Sequence, residues 1–331
     1  MIYKYCFSLQ LNSIKLNQMN TKTKVNFMKR KLFLSMVMAL MITSLNLSGQ
    51  VSDTSYWKKG VEFGVGLNQI ALSNWAAGGN SSFAGNAFLN LDANYTKGKH
   101  SWINSLRLAY GLSKAEGEIT KKTDDKIELS SKYGYKIHDK WFFSALGEFK
   151  TQFSNGYDYK VNDSVPISKF LAPAYLTLGL GLDYMPNSNF SLFMSPASIR
   201  LTVVNDQRLA DLGSFGVKKA EYDELGNLLK HGEKSLFGFG GTIKMVYKTI
   251  LMENIAMESR LTLFSDYMND PQNIDVNFET QLIFKVNKYI SANISANLVY
   301  DDNVTITDKD GKSGPRTQFK EVLGLGLSYK L

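Results

Sequence analysis

Cysteine is nearly absent: the 331 residues contain one, Cys6, and it lies within the first 49. The rest of the chain therefore has neither a disulfide framework nor a thiolate metal site. Proline is scarce as well, six residues in all, and no stretch rich in Pro, Gly or Ser divides the chain after Ser55. No unit of 20–50 residues repeats, so neither two domains nor a solenoid is indicated. Histidines number three: His100, His138 and His231. A lipase-type or protease-type centre needs a histidine to activate a hydroxyl. By the spacing below, His100 and His138 fall in short connections and His231 in a long one, none on a strand, so no catalytic residues are expected. Acidic residues are missing from residues 1–49, where Lys4, Lys15, Lys22, Lys24, Lys29, Arg30 and Lys31 stand unopposed. Removing those seven from 38 Lys and Arg leaves 31 against 30 Asp and Glu, so the net charge of +8 falls to +1. A nucleic-acid partner would require a basic face on that remainder, and none is indicated. Long apolar runs are lacking too. With 44% apolar and 21% charged residues, the composition excludes both disorder and a helical membrane bundle.

The basic leader has a shape of its own. "MKRKLFLSMVMALMITSLNLSGQ" begins at Met28 with three cations, continues through an interrupted apolar stretch to Leu47, and ends in Ser48, Gly49 and Gln50. A positive head, a short apolar middle and small residues at the end predict a secretory signal over 28–49, with 1–27 as an upstream extension. A membrane anchor is the alternative reading of the same stretch. Residues 50–60 are expected as a short periplasmic segment ahead of the main body, 61–331.

From Val61 onward the period is two. Val61, Phe63, Val65 and Leu67 alternate with Glu62, Gly64, Gly66 and Asn68, and Leu106, Leu108, Tyr110 and Leu112 with Arg107, Ala109 and Gly111. About twelve such stretches fill the chain, each near the ~10 residues that a tilted bilayer-crossing strand needs. No helical period intervenes, so neighbouring strands are expected to be antiparallel. In "NIDVNFETQLIFKV", Ile274, Val276, Phe278, Leu282 and Phe284 share one face, and Asp275, Asn277, Glu279, Gln281 and Lys285 the other. A soluble sandwich can alternate in the same way. Connection lengths decide between the two. Short links at 96–100, 138–140, 185–189, 251–254 and 287–288 alternate with long ones at 73–81, 115–125, 154–170, 205–235, 268–273 and 301–318. That asymmetry is expected of an all-β, single antiparallel up-and-down transmembrane β-barrel with short periplasmic turns and long outer loops. The aromatics agree. Tyr95, Trp102, Trp141, Tyr184, Tyr247 and Tyr329 fall at one end of the apolar face, and Tyr110, Phe153, Tyr267 and Tyr300 at the other, as two interfacial girdles.

These features predict the outer membrane of a Gram-negative bacterium, with membrane lipids and lipopolysaccharide as surroundings. The closing "GLGLSYKL" places Gly326, Tyr329 and Leu331 in the pattern that such barrels present to the barrel-assembly machinery. It departs from that pattern in ending on Leu and in carrying Gly324 at the usual polar position.

Two stretches carry a family resemblance. "LNQIALSNWAAGGNSSFAG", from Leu67, resembles the hallmark of a family of Bacteroidota envelope proteins, the domain of unknown function 3078 family. "SPASIRLTVVNDQRLADLGSFGV", from Ser195, is similar to the same family's pattern. The resemblance covers essentially 57–331. It implies an outer-membrane barrel and carries over no activity, cofactor or site residue.

Within the first stretch, Gln69, Asn74, Trp75, Gly78 and Gly79 are candidates for an inward-folded constriction: glycines allow close backbone approach, and an indole gains by folding over the lumen. A purely structural turn is the alternative. "DKDGKSG" offers Asp308 and Asp310 as weak calcium candidates, but it lacks the distal glutamate of a calcium loop, so no metal is assigned. "EYDELGNLLKHGEK" reads as a hairpin turning at Gly226 and Asn227. Inward candidates for lining the lumen are Asp92, Arg107, Lys132, Glu148, Lys150, Asp183, Arg200, Lys244, Glu258, Arg260, Glu279 and Lys285, with Asn90, Asn94, Glu128, Lys136, Lys248 and Asp275 beside them. Their signs nearly balance, so neither anion nor cation selectivity is indicated. The resulting expectation is a passive channel or transporter for small polar solutes. The alternative is a non-conducting structural barrel whose outer loops bind a protein or glycan.

Overall fold

The computed structural model describes residues 56–70, 81–287, 290–307 and 312–330. Twelve long strands make one closed sheet: β1 (Trp57–Ile70), β2 (Ser82–Lys97), β3 (His100–Ala115), β4 (Lys121–His138), β5 (Trp141–Thr151), β8 (Ala174–Asn187), β9 (Phe190–Val203), β12 (Ser235–Met252), β13 (Ile255–Asp266), β14 (Ile274–Lys285), β15 (Ile290–Tyr300) and β18 (Gln318–Lys330). Three short ribbons are interleaved in chain order, β6 (Gly156–Asp158) with β7 (Asn162–Ser168), β10 (Glu221–Tyr222) with β11 (Leu228–Lys230), and β16 (Thr305–Thr307) with β17 (Ser313–Pro315). Between β9 and β10 the described residues form a short helix, α1 (Gln207–Asp211), and a single 3-10 turn (Ser214–Gly216). Every long strand pairs antiparallel with the long strand before and after it, and β1 pairs with β18 to close the barrel. Closure leaves no full-length edge, the condition for a sheet to stand in lipid.

Alternation dictates which side faces out. Leu178, Leu180 and Leu182 of β8, like Leu323, Leu325 and Leu327 of β18, stand exposed on the outside. Phe193, Asp183, Ser198 and Thr242 are buried inside. A largely apolar exterior, whose few polar groups such as Asn104, Ser131, Ser259 and Thr280 bond to one another, around a polar interior inverts the soluble pattern and defines a transmembrane barrel. The rings pack against one another across one or two strands at the end that carries the short turns. Trp57 sits 5.2 Å from Tyr95 and 5.8 Å from Trp102, and Trp141 sits 4.9 Å from Tyr184. At the other end Tyr110 meets Phe153 at 6.4 Å and Phe239 meets Tyr267 at 6.1 Å.

Boundaries differ from the sequence reading at several points: β1 begins at Trp57, four residues ahead of Val61, and the short links at 185–189 and 251–254 shrink to 188–189 and 253–254. β4 begins at Lys121, so the connection placed at 115–125 shrinks to 116–120. The run Lys121–Lys126 has no apolar face, but backbone pairing needs none above the membrane surface. His100 and His138, too, are terminal residues of β3 and β4 rather than turn residues. Hairpins here close on two-residue turns, with Gly98 at φ 57, which leaves the flanking histidines in the ladder.

The connection between β9 and β12 is folded. Asp206 caps α1 by accepting from Leu209 N at 3.0 Å. Leu209 and Ala210 then pack with Ala172, Val204 and Val217 into a small apolar core flanked by Phe215 and Leu236. Gly232 must be glycine for this, since a Cβ there would stand 2.2 Å from Ala210 O. Beyond that core the hairpin β10–β11 turns at Gly226 as the sequence predicts, with Leu225 at its tip 88% exposed.

Candidate functional site

Strand parity brings charged residues into the lumen, and the barrel sorts them into two regions. Facing β5, β8, β9 and β12, the interior is filled. Lys132 reaches from β4 to Asp183 on β8 and donates to Ser191 Oγ at 2.7 Å, while Ser191 donates to the other oxygen of Asp183 at 2.9 Å. Lys244 on β12 meets Glu148 on β5. Ser198 donates to Ser195, which donates onward to the Leu180 carbonyl. Phe193 is buried among these groups. Toward the long-loop end, Arg200 pairs with Asp275 and lies over the Phe264 ring at 4.0 Å. Buried charges in such a medium persist only when paired and hydrogen-bonded, and these are.

A chain of ion pairs then crosses the lumen. Lys126 on β4 lies 2.9 Å from Glu279 on β14 and 3.1 Å from Glu128. In the ring of twelve strands β4 and β14 are six apart in either direction, so this pair spans the barrel. The chain continues at one end through Glu128 to Lys150 at 3.5 Å. At the other it runs from Glu279 to Arg260 at 3.7 Å, to Glu258 at 2.6 Å and to Lys248 at 3.3 Å.

Beside the chain, toward β1, β2, β15 and β18, lies a cavity of about 620 Å³. Its wall is rich in amides (Asn86, Asn90, Gln281, Asn293 and Asn297), with Arg107 held to Asp92 at 2.7 Å. Lys248 and Asn189 line it near the short-turn end, Lys320 and Asp124 near the long-loop end, the last two paired at 2.6 Å.

Eleven of the twelve lumen candidates enter these ion pairs. Lys285 is on the inner face at the short-turn end, opposite Ser291. Gln69 is at the upper end of β1, opposite exposed Phe83 and on the outer face it shares with Val65 and Leu67, so parity turns it away from the lumen rather than into a constriction. Asn74, Trp75, Gly78, Gly79, Asp308 and Asp310 lie outside the described residues, as does the stretch read as a signal, 28–49. Lys126 is missing from the sequence-derived candidates because the alternation becomes apolar only at Ile127, one residue beyond it, whereas β4 already begins at Lys121. Of the amide wall, the sequence candidates include only Asn90; the signal for Asn293 and Asn297 is their inward parity in "ISANISANLVY". Among the described residues no group of His, Cys, Asp and Glu is arranged to hold a metal.

Residues 67–157 match the model of a family described as "Protein of unknown function (DUF3078)". The second motif, from Ser195, lies beyond the matched segment. Several solved structures are similar. The translocator domain of the autotransporter NalP from Neisseria meningitidis aligns at 10% identity and a TM-score of 0.33, over 91% of this chain and 97% of that one. A NanC porin aligns at 12% identity and a TM-score of 0.35, over 83% and 100%. The outer membrane channel DcaP of Acinetobacter baumannii aligns at 12% identity and 0.29, over 86% and 100%. No curated protein matches the chain.

Proposed function

We propose that this chain, which carries the DUF3078 segment at residues 67–157, is a passive channel for small polar solutes in the outer membrane of a Gram-negative bacterium. The observation that carries the reading is the cavity beside the ion-pair chain. It reaches from Lys248 and Asn189 at one end to Lys320 and Asp124 at the other, and its wall offers amides and both signs of charge. Amides hydrogen-bond neutral polar solutes as donor and acceptor, and balanced charge favours neither ion sign. Only part of the lumen is open, so the pore is narrow. Lipids and lipopolysaccharide surround it, and Tyr329 near the C-terminus fits delivery by the barrel-assembly machinery. No catalytic step belongs to this reading.

Refolded protein in planar bilayers tests it. The expected result is a small unitary conductance with a reversal potential near zero in a salt gradient. A correctly folded but silent barrel overturns it. One observation favours the second reading, a binding barrel: the β9–β12 connection has its own apolar core and presents exposed Tyr222, Leu225 and Leu229 on its hairpin. A silent barrel that still captures an envelope partner, and loses it when 205–235 are removed, would select that alternative.

A further inference from the structure

The barrel closes where its first and last strands meet, and that seam is paired over only part of its height. β1 and β18 match from Glu62 opposite Lys330 to Gly66 opposite Gly326. The same register would next set Leu67 against Leu325, Asn68 against Gly324 and Gln69 against Leu323, but among the described residues no ladder forms there. Both strands continue beyond that point. β1 stays paired with β2 to Ile70 opposite Ser82, and β18 with β15 to Gln318 opposite Val299. Each of the other seams carries ten or more paired positions. Above Gly66, therefore, 67–69 and 323–325 stand side by side, and among the described residues each is bonded to its neighbour on one flank only.

An unpaired backbone group facing hydrocarbon costs several kcal/mol, so such an edge persists only where it meets water or another polar partner. The lumen cavity lies directly behind it, walled by Asn86 and Phe88 of β2, Asn293 of β15 and Val322 of β18. On the inside the β18 lip carries Gly324, where a Cβ would stand 2.3 Å from Asn293 Oδ1, and the matched stretch just below ends at Gly66, where a Cβ would stand 2.2 Å from Asn86 Oδ1, so these two amides border the lips. On the outside the lips are apolar: Leu67 and Leu325 are each 63% exposed and Leu323 is 74% exposed.

We propose that the long-loop half of the β1–β18 seam is a lateral portal between the cavity and the outer half of the bilayer. Its substrate is a single-chain amphiphile with a neutral, hydroxylated head. The head class follows from the amides, which donate and accept as hydroxyls do, in a wall of balanced charge. The tail class follows from the lips: an alkyl chain passing between Leu67 and Leu325 exchanges one apolar surface for another. The inference rests on the membrane location and wet cavity of the preceding reading, but not on axial conduction.

A tether across the seam tests it. In the full chain with Cys6→Ser, the pair Leu67→Cys and Leu325→Cys is bridged by a short bis-maleimide. The pair Val65→Cys and Leu327→Cys, inside the matched part of the seam, is bridged as the control. Transfer of a pyrene-labelled alkyl glycoside from the protein into liposomes should be lost with the upper tether and unchanged with the lower. Ion conductance should be unchanged with both. Unimpaired transfer through the upper tether, or simultaneous loss of conductance and transfer, overturns the portal. Absent conductance with intact, tether-sensitive transfer refutes the axial channel and leaves the portal standing. On the unmodified chain, hydrogen exchange in nanodiscs gives a second measurement: amides of 67–70 and 319–325 should exchange faster than those of 62–66 and 326–330. Equal protection overturns the portal whether or not the variants fold.

Discussion

Lys132 and Lys244 each leave their own strand and end on a carboxylate across a filled part of the lumen, Asp183 and Glu148. Asp183 is fully buried. Burying both members of such a pair costs desolvation that their attraction only roughly repays, whereas removing one leaves an uncompensated buried charge. Asp183→Asn should therefore destabilise the barrel by ~3 kcal/mol, while Lys132→Met combined with Asp183→Leu should be near neutral. Urea unfolding of protein folded into lipid vesicles measures both; equal losses for the single and double variants would refute the pairing account. Lys126 and Glu279 belong to a different regime, since their side chains keep 26% and 28% of their exposure. Water screens that bridge, so Lys126→Met should leave stability almost unchanged. It should raise the unitary conductance, because the bridge stands beside the cavity. A variant that unfolds overturns the screening argument, and one whose conductance is unaltered removes the bridge from the conduction path. The inward direction of these side chains was legible from parity two. Their partners were not: the Lys126–Glu279 bond joins residues 153 positions apart, and no local period encodes that.

The connection between β9 and β12 shows the same division among elements. Its hairpin was legible because Gly226 and Asn227 are turn chemistry in four residues. Its helix was not, because α1 has five residues and a helical period needs eleven or more to register. What holds the helix is electrostatic at both ends. Asp206 lies below the usual carboxylate range chiefly because Lys169 hydrogen-bonds it. Asp211 is held low first by Gln207, then by Gly232 N and His231. A depressed carboxylate stabilises the fold above its unfolded pKa of about 4, and that contribution disappears as the pH falls through the lower folded value. Protease protection of 205–235 should consequently persist from neutral pH down to about 5 and be lost only below about 4. Asp206→Ala should weaken protection at neutral pH, by about 1 kcal/mol for the lost N-cap. Loss of protection already between pH 7 and 5 would instead assign control to His231, 3.2 Å from Asp211, and sink this account.

For the molecule as a whole, alternation dictates a cylinder but is silent on how much of the cylinder is hollow. Twelve strands with polar inward faces admit either a packed or a wet interior, and the choice depends on which charges meet across the lumen. Three environments result, and nitroxide labels distinguish them by access to oxygen and to a water-soluble nickel complex. Leu108 and Phe284 are on the outside, the former opposite Leu89 and Ile127, the latter opposite Ile255 and Ala292. Labels there should be reached by oxygen and not by nickel. Gln281 and Asn297 line the cavity, so labels there should be reached by nickel. Thr242 and Ser198 are 2% and 0% exposed, and labels placed there, if tolerated, should be reached by neither. Nickel access at Leu108 or Phe284 would take the barrel out of lipid altogether. Protection of Gln281 and Asn297 to the level of Thr242 would mean that both halves of the lumen are packed, which removes the axial channel and, with it, the wet surface that an unpaired β1–β18 edge requires.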